Sequence, residues 1–156
     1  MTACPLQIDA IMQVMEAAFD PTYGEAWNRR QVSDALTMPS THAVLVDKDG
    51  EIVDATSGSQ VAGFVMTRHA ADEEELLLVA VHPDERRKGL GLHLIKALFD
   101  SARTRGTQRV FLEMRKGNPA EHLYHRIGFE PIGKRPNYYR MTDGSRVDAI
   151  TYGCAI

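Results

Sequence analysis

Val79-Ala80-Val81-His82-Pro83-Asp84-Glu85-Arg86-Arg87-Lys88-Gly89-Leu90-Gly91 is the stretch that decides the architecture. An apolar strand ends in a polar turn, and the turn runs into the start of a helix. Gly89 and Gly91 sit where a backbone must approach something closely. Free N–H groups at a helix start, reinforced by the helix dipole, hold phosphate oxygens. Arg86, Arg87 and Lys88 add positive charge beside them. Two other phosphate-binding patterns are excluded directly. A Walker A loop needs Gly-Lys-Ser/Thr, but Leu90 follows Gly89. A dinucleotide fingerprint needs a third glycine, but position 94 is Leu.

Upstream, Leu76-Leu77-Leu78 completes an apolar run too short for a typical helix and suited to a buried central strand. An acidic patch, Asp72 to Glu75, leads into it. Downstream, Leu90, Leu94, Leu98 and Ala102 recur every four residues, with Ile95 and Phe99 beside them. This marks a helix packed on a sheet and closed by Gly106.

The same reading covers the rest of the chain. Ile8, Ile11, Met12, Met15 and Phe19 line one face of a first helix, which Pro21 helps to end. Asn28 and Gln31 form a capping box for a second helix ending before Pro39, with Trp27 and Val32 as its hydrophobic staple. His42–Val46 and Val61–Thr67 read as strands around an exposed loop, Asp47–Ser59. Val110–Arg115 is another strand. Asn118, Pro119 and Glu121 open a further helix as N-cap, N1 and N3. Leu123 and Ile127 face its core side, and Gly128 ends it. Phe129–Pro131, Tyr138–Met141 and Asp148–Tyr152 complete the sheet, with a turn at Thr142-Asp143-Gly144. The order describes a mixed α/β sheet in one domain, residues 1–156. The segment before the first helix is too short for a full edge strand, so that strand is short or absent.

Composition sets limits on function. The chain has 156 residues, 44% hydrophobic and 25% charged, the balance of an ordinary soluble domain. Such a chain buries roughly 70% of its unfolded surface and needs no staples. A net charge of −3 argues against nonspecific nucleic-acid binding but suits a basic peptide partner. Cys4 and Cys154 belong to no CxxC pair. They read as two free thiols, with a disulfide open only if the termini meet. Asp9, Glu16 and Asp20 interrupt the N-terminal segment, so it does not read as a signal peptide. No apolar stretch approaches a membrane span, and the expected location is the cytoplasm. His122 and His125 lie three apart on one helix without a third ligand at a recognised spacing, so they read as surface histidines and no metal is expected.

Two signatures in order carry a family resemblance. Arg86-x-x-Gly89-x-Gly91 after Val-Ala-Val-x-Pro resembles the pyrophosphate loop of the GNAT superfamily of N-acetyltransferases. Leu123-Tyr124-x-x-x-Gly128-Phe129 resembles its second signature. The resemblance implies a mixed, mostly antiparallel sheet flanked by helices, with acetyl-CoA as donor. Within the superfamily the chain resembles the RimI type, which acetylates the N-terminal alanine of a small-subunit ribosomal protein. Ala26-Trp27-Asn28, Phe111-Leu112-Glu113-Met114-Arg115 with Asn118, Arg135-Pro136-Asn137-Tyr138-Tyr139, and Asp143-Gly144…Asp148-Ala149-Ile150 carry this closer likeness. Pro136 stands where that type has a second arginine. Five residues separate Asn118 from Tyr124, one fewer than usual.

By this resemblance Glu113 is the general base and Tyr124 the general acid. Val79, Ala80 and Val81, Arg86 through Leu92 and Asn118 contact acetyl-CoA, and the acceptor is a peptide or protein N-terminus. Each role has a plainer counterpart. Glu113 can be the salt-bridge partner of Arg115 or another basic residue, and Tyr124 can simply pack its ring. Trp27, Tyr138 and Tyr139 divide between acceptor contact and packing. The resemblance also leaves two other readings: a GNAT acting on a small amine, and a non-catalytic acyl-CoA-binding domain. Asp72 to Glu75 offers a candidate negative rim for basic residues downstream in a peptide.

Overall fold

In the computed structural model, residues 4–19, 26–54 and 60–156 are described. The expected helix stop at Pro21 and part of the Asp47–Ser59 loop lie outside them. α1 (Pro5–Ala18) buries Ile8, Ile11, Met12, Val14 and Met15. α2 (Arg29–Leu36) begins with the expected capping box: the Asn28 side chain accepts the Gln31 N–H, and the Gln31 side chain accepts that of Asn28. Val32 is fully buried, and Trp27 packs against the same cluster.

The strands are β1 (Thr41–Val46), β2 (Gly63–Ala70), β3 (Glu73–Val81), β4 (Arg109–Arg115), β5 (Glu130–Arg140) and β6 (Arg146–Ala155). They form one six-stranded sheet in the order β1-β2-β3-β4-β6-β5. Every neighbouring pair is antiparallel except β3 with β4. A parallel pair needs a long crossover. α3 (Leu90–Thr104) supplies it and ends in a Schellman arrangement, with the Gly106 N–H on the Arg103 carbonyl and the Thr107 N–H on the Ala102 carbonyl. Among the described residues no strand precedes α1.

Each face of the sheet has its own core. On one, Leu94, Ile95 and Leu98 of α3 pack with Val65, Leu76, Val110, Leu112 and Phe129. On the other, α1 and Val32 pack with Leu45, Phe64, Met66, Leu78 and Ala80. Leu94 is fully buried, so Leu94→Ala would cost about 2–5 kcal/mol.

Pairing moves several boundaries that periodicity alone placed elsewhere. β2 starts at Gly63 and runs on to Ala70, because Arg68 still pairs with Thr41 and Ala70 with Glu73. The acidic patch does not precede the strand but forms its first residues, Glu73 to Glu75. β5 is one continuous strand, held along its length by β6. α4 (Glu121–Ile127) begins two residues later than expected. Asn118 caps a tight turn instead: its side chain accepts the Ala120 N–H at 2.9 Å, and its carbonyl accepts that of Glu121. Cys4 and Cys154 are both free thiols, and burial pushes the Cys154 thiol up from its ordinary pKa.

Candidate active site

The β3–β4 seam is closed at one end and open at the other. The strands pair only at Glu73↔Arg109, Glu74↔Val110 and Glu75↔Phe111. Just beyond, β3 carries a bulge: Met66 faces Leu78 while Thr67 faces Leu76, which leaves Leu77 as an extra residue. One extra residue reverses which face the following side chains take. Leu76 accordingly packs on the α3 side, while Leu78 and Ala80 pack on the α1 side. Past the bulge the strands part, and a cleft of about 780 Å³ opens between Leu76–Val81 and Leu112–Arg115. β3 keeps its ladder with β2 through Val81, so its other edge faces the cleft unpaired by β4.

The cleft draws residues from both faces. From the end of α1 come Ala18 and Phe19, from α2 and the residues before it Trp27 and Gln31, from β5 Tyr139, and from α4 and the turn before it Asn118 and Tyr124. Glu113 alternates with the core residues Leu112 and Met114, so its side chain lies on the α1–α2 face. There Arg135 Nε lies 3.1 Å from Glu113 Oε2, and Thr151 Oγ1 donates to the same oxygen at 3.4 Å. Arg135 is therefore an ion-pair partner of Glu113. No motif in β4 signals this partner, because it arrives from β5 through the neighbouring β6.

Tyr124 is 4% exposed and packs edge-on against Phe129, ring centroids 5.4 Å apart. It both packs its ring and lines the cleft. Burial pushes its phenol above the ordinary value of 10.0, so it carries its proton at neutral pH. Nearby, the Tyr152 hydroxyl donates to Glu121 Oε2 at 3.3 Å; burial first, then that carboxylate, raise its pKa.

The Arg86–Leu92 segment presents a helix start unlike that of α2. Gly89 is the N-cap of α3, takes φ +79° and has no side chain to accept the first N–H groups. They remain available to an anion. Gly91 is a close approach of another kind: a Cβ there would lie 3.1 Å from Leu123 Cδ2 of α4. The side chains divide. Leu90 is buried, which leaves its backbone to face a ligand. Arg86 lines the cleft and donates to the Ala18 carbonyl at 2.9 Å, tying the end of α1 to this loop. Lys88 pairs with Glu85. Arg87 is exposed with φ +67°, and Leu92 is half-buried. Val79 and Val81 pack their side chains on the α3 core, so they too meet the cleft through backbone. Tyr138 is 49% exposed and Tyr139 turns into the cleft.

The proposed negative rim is not part of this site. Asp72 to Glu75 lies at the closed end of the seam. Glu74 is fully buried, and Glu75 pairs with Arg68 at 2.9 Å. Among the described residues, the charged ones lining the cleft are Arg86, Glu113 and Arg115. The expected preference for basic peptides is left with the net charge of −3 as its support. Among the described residues no group of three or more His, Cys, Asp or Glu side chains is arranged to hold a metal ion, and no helix is long and apolar enough to cross a membrane.

A bulged strand, a one-ended seam and an uncapped helix start on the loop that follows the strand together define a class. Residues 8–129 match the Acetyltransferase (GNAT) family, and the chain belongs to it. Among its relatives is the ribosomal protein bS18-alanine N-acetyltransferase of Escherichia coli K12. The two are 42% identical over 96 residues, 61% of this chain and 64% of the relative, so the match spans just under two thirds of that protein. The Haemophilus influenzae protein of the same name is 33% identical over 96 residues, 62% of this chain and 66% of the relative. The crystal structure of the Escherichia coli ribosomal-protein-S18-alanine N-acetyltransferase superposes with TM-score 0.80 at 27% identity, covering 100% of this chain and 92% of that one. An aminoglycoside 6'-N-acetyltransferase complexed with coenzyme A shares the fold, with TM-score 0.73 at 16% identity over 97% of this chain and 92% of the other.

Proposed function

We propose that this chain transfers acetyl from acetyl-CoA to a primary amine, and that the amine is the N-terminal alanine of a ribosomal protein. One observation carries the reading: a cleft passes between β3 and β4, with Tyr124 on one side of the sheet and Glu113 on the other, and Arg86 on its wall leads along the chain into the free helix start at Gly89. The donor fits this shape. Its pyrophosphate suits the N–H groups at Leu90 to Leu92, and the amides of its extended arm suit the β3 edge that β4 leaves unpaired. The finer assignment of the acceptor is supported by the bS18-alanine relatives.

The chemistry follows from the positions. An α-amine has a pKa of about 7.7–8 and is largely protonated at neutral pH. Glu113 accepts one ammonium proton, directly or through water, so that nitrogen can attack the thioester carbonyl carbon, and the second proton that nitrogen sheds on becoming an amide goes to solvent. Negative charge gathers on the carbonyl oxygen, where a backbone N–H of Val79–Val81 stabilises it. The carbon–sulfur bond then breaks, and the departing thiolate takes the Tyr124 proton. The products are an acetylated amine and free CoA thiol; Glu113 releases its proton to solvent, and Tyr124 takes one up from it.

The test is a turnover screen with acetyl-CoA against short peptides of different N-termini, with free lysine and small amines alongside, and mass spectrometry to locate the acetyl group. Acetylation of the Ala α-amine is expected; modification confined to lysine side chains or small amines rejects the N-terminal assignment. Glu113→Gln should lose most activity near neutral pH, with the deficit shrinking above about pH 8 as free amine becomes abundant. A wild-type rate at neutral pH in that variant rejects Glu113 as the base.

A further inference from the structure

Two stretches, Arg135-Pro136-Asn137-Tyr138-Tyr139 and Asp148-Ala149-Ile150, have no assigned step in this chemistry. The fold brings them together. Arg135 pairs with Ala149 and Tyr139 with Val147, so Pro136, Asn137 and Tyr138 stand opposite Asp148 alone. Asn137 takes φ +53° within this bulge. A Cβ disfavours that conformation, and Asn tolerates it better than most residues. Pro136 before it fixes its own φ and removes a ladder donor. Without the extra residues Tyr139 would slide along β6 by roughly 7 Å at the rise of an antiparallel strand.

Asp148 holds the bulge from the opposite strand. Its Oδ1 accepts the Asn137 N–H at 2.9 Å, and Lys134 Nζ lies 3.9 Å from its Oδ2. The Asp148 carbonyl accepts the Lys116 N–H at 2.8 Å, just past the end of β4. One residue thus joins the bulge to the strand that carries Glu113 and to the turn that carries Asn118. The bulge in turn sets two side chains. On one side of it Arg135 reaches Glu113; on the other Tyr139 turns into the cleft, the one residue of β5 that is not exposed. Tyr138 bridges them, with the Arg135 guanidinium 5.0 Å from its ring and the Tyr139 ring edge-on at 5.2 Å.

We propose that Asp148 and Asn137 form a latch of positioning residues for the acceptor: the latch fixes the bulge that places Arg135 on Glu113 and Tyr139 in the cleft, and it leaves donor binding alone. Its role rests on the acetyl-transfer reading above. The experiment compares Asn137→Val, Asn137→Gly and Asp148→Ala for acceptor KM, kcat, acetyl-CoA affinity and amide hydrogen exchange. Asn137→Val and Asp148→Ala should lower kcat/KM for the peptide by roughly ten- to a hundredfold, the size expected for a misplaced acceptor. Acetyl-CoA affinity should stay at the wild-type value. Asn137→Gly should retain most of the activity, because Gly enters positive φ freely. Exchange at the Asn137 amide should accelerate in Asp148→Ala while amides 110–114 of β4 keep their protection. Val and Gly variants that behave alike, or donor affinity lost in step with acceptor use, would overturn the latch. So would unchanged Asn137 exchange in a folded Asp148→Ala protein. A wild-type chain that acetylates no amine would instead remove the reading on which the latch's role rests.

Discussion

The two ends of the β3–β4 seam hold charge in opposite ways. At the closed end, Glu74 is fully buried and every demand it makes is met within the protein. Thr67 donates to it at 2.6 Å, Thr107 at 3.1 Å, and Arg105 through two nitrogens at 3.1 and 2.7 Å. At the open end, Glu113 is partly exposed, shares one guanidinium with solvent and faces a cleft. Buried charge that is fully bonded fixes a structure, whereas a polar group left facing a cavity is available to a ligand. Between the two lies the Leu77 bulge, one residue that converts a closed ladder into a binding wedge.

The sharpest separation of the two ends comes from the open one. Tyr124→Phe keeps the ring against Phe129 and removes only the hydroxyl. Turnover should fall by about 10²–10⁴-fold, the usual worth of a general acid, with acetyl-CoA affinity and melting temperature nearly unchanged. Steady-state kinetics beside cofactor-dependent melting checks this. A loss of donor affinity with normal turnover per bound complex would make Tyr124 a binding residue.

Next in size is the reverse experiment. Glu74→Ala leaves Arg105 beside a vacated buried site and should cost about 3–5 kcal/mol of stability. Protein that remains folded should turn over normally, since the closed end contributes nothing to the cleft. Denaturant unfolding and activity per folded molecule decide it. Catalytic loss without loss of stability would erase the distinction between the two ends.

The smallest effect is a pH dependence belonging to the closed end. His42 Nε2 lies 2.7 Å from His69 Nδ1, with Arg105 and Glu74 as the charged groups nearby. Burial first, then Arg105, hold His42 below its ordinary 6.5, against the pull of Glu74. The unfolded chain then takes up this proton more readily, so stability falls as pH drops from 6.5 through the lower folded value. Burial works to raise the Glu74 pKa, but the hydrogen bonds from Arg105 and Thr67 and the Arg105 charge outweigh it and leave it below 4.5. Its contribution is complete above that pH and is lost as pH falls through the depressed value. Unfolding midpoints should therefore decline in two stages, and His42→Gln should remove the first. A midpoint insensitive to His42→Gln across both stages would refute this assignment.

The legible parts of the sequence are those whose physics is local. The capping box at Asn28 and Gln31, the α3 stripe from Leu90 to Ala102 and the glycine-bearing turn at 86–91 depend on residues a few positions apart. Each could be read before any partner was known. What tertiary structure alone decided depends on residues far apart in the chain. Glu74 sits in a run of acids that reads as exposed surface. It is buried because Arg105 and Thr107, thirty-odd positions later, close over it. Glu113 pairs with Arg135, a residue of β5 that reaches it across the intervening β6. The Leu77 bulge leaves no mark in an apolar run, since either register keeps leucine in a core. Sequence alone was enough for the helices, the glycine-bearing turn and the family. The sheet's pairing decided where the seam opens and which carboxylate faces the cleft, because hydrogen-bond register and cross-strand charge pairing are properties of two strands and never of one.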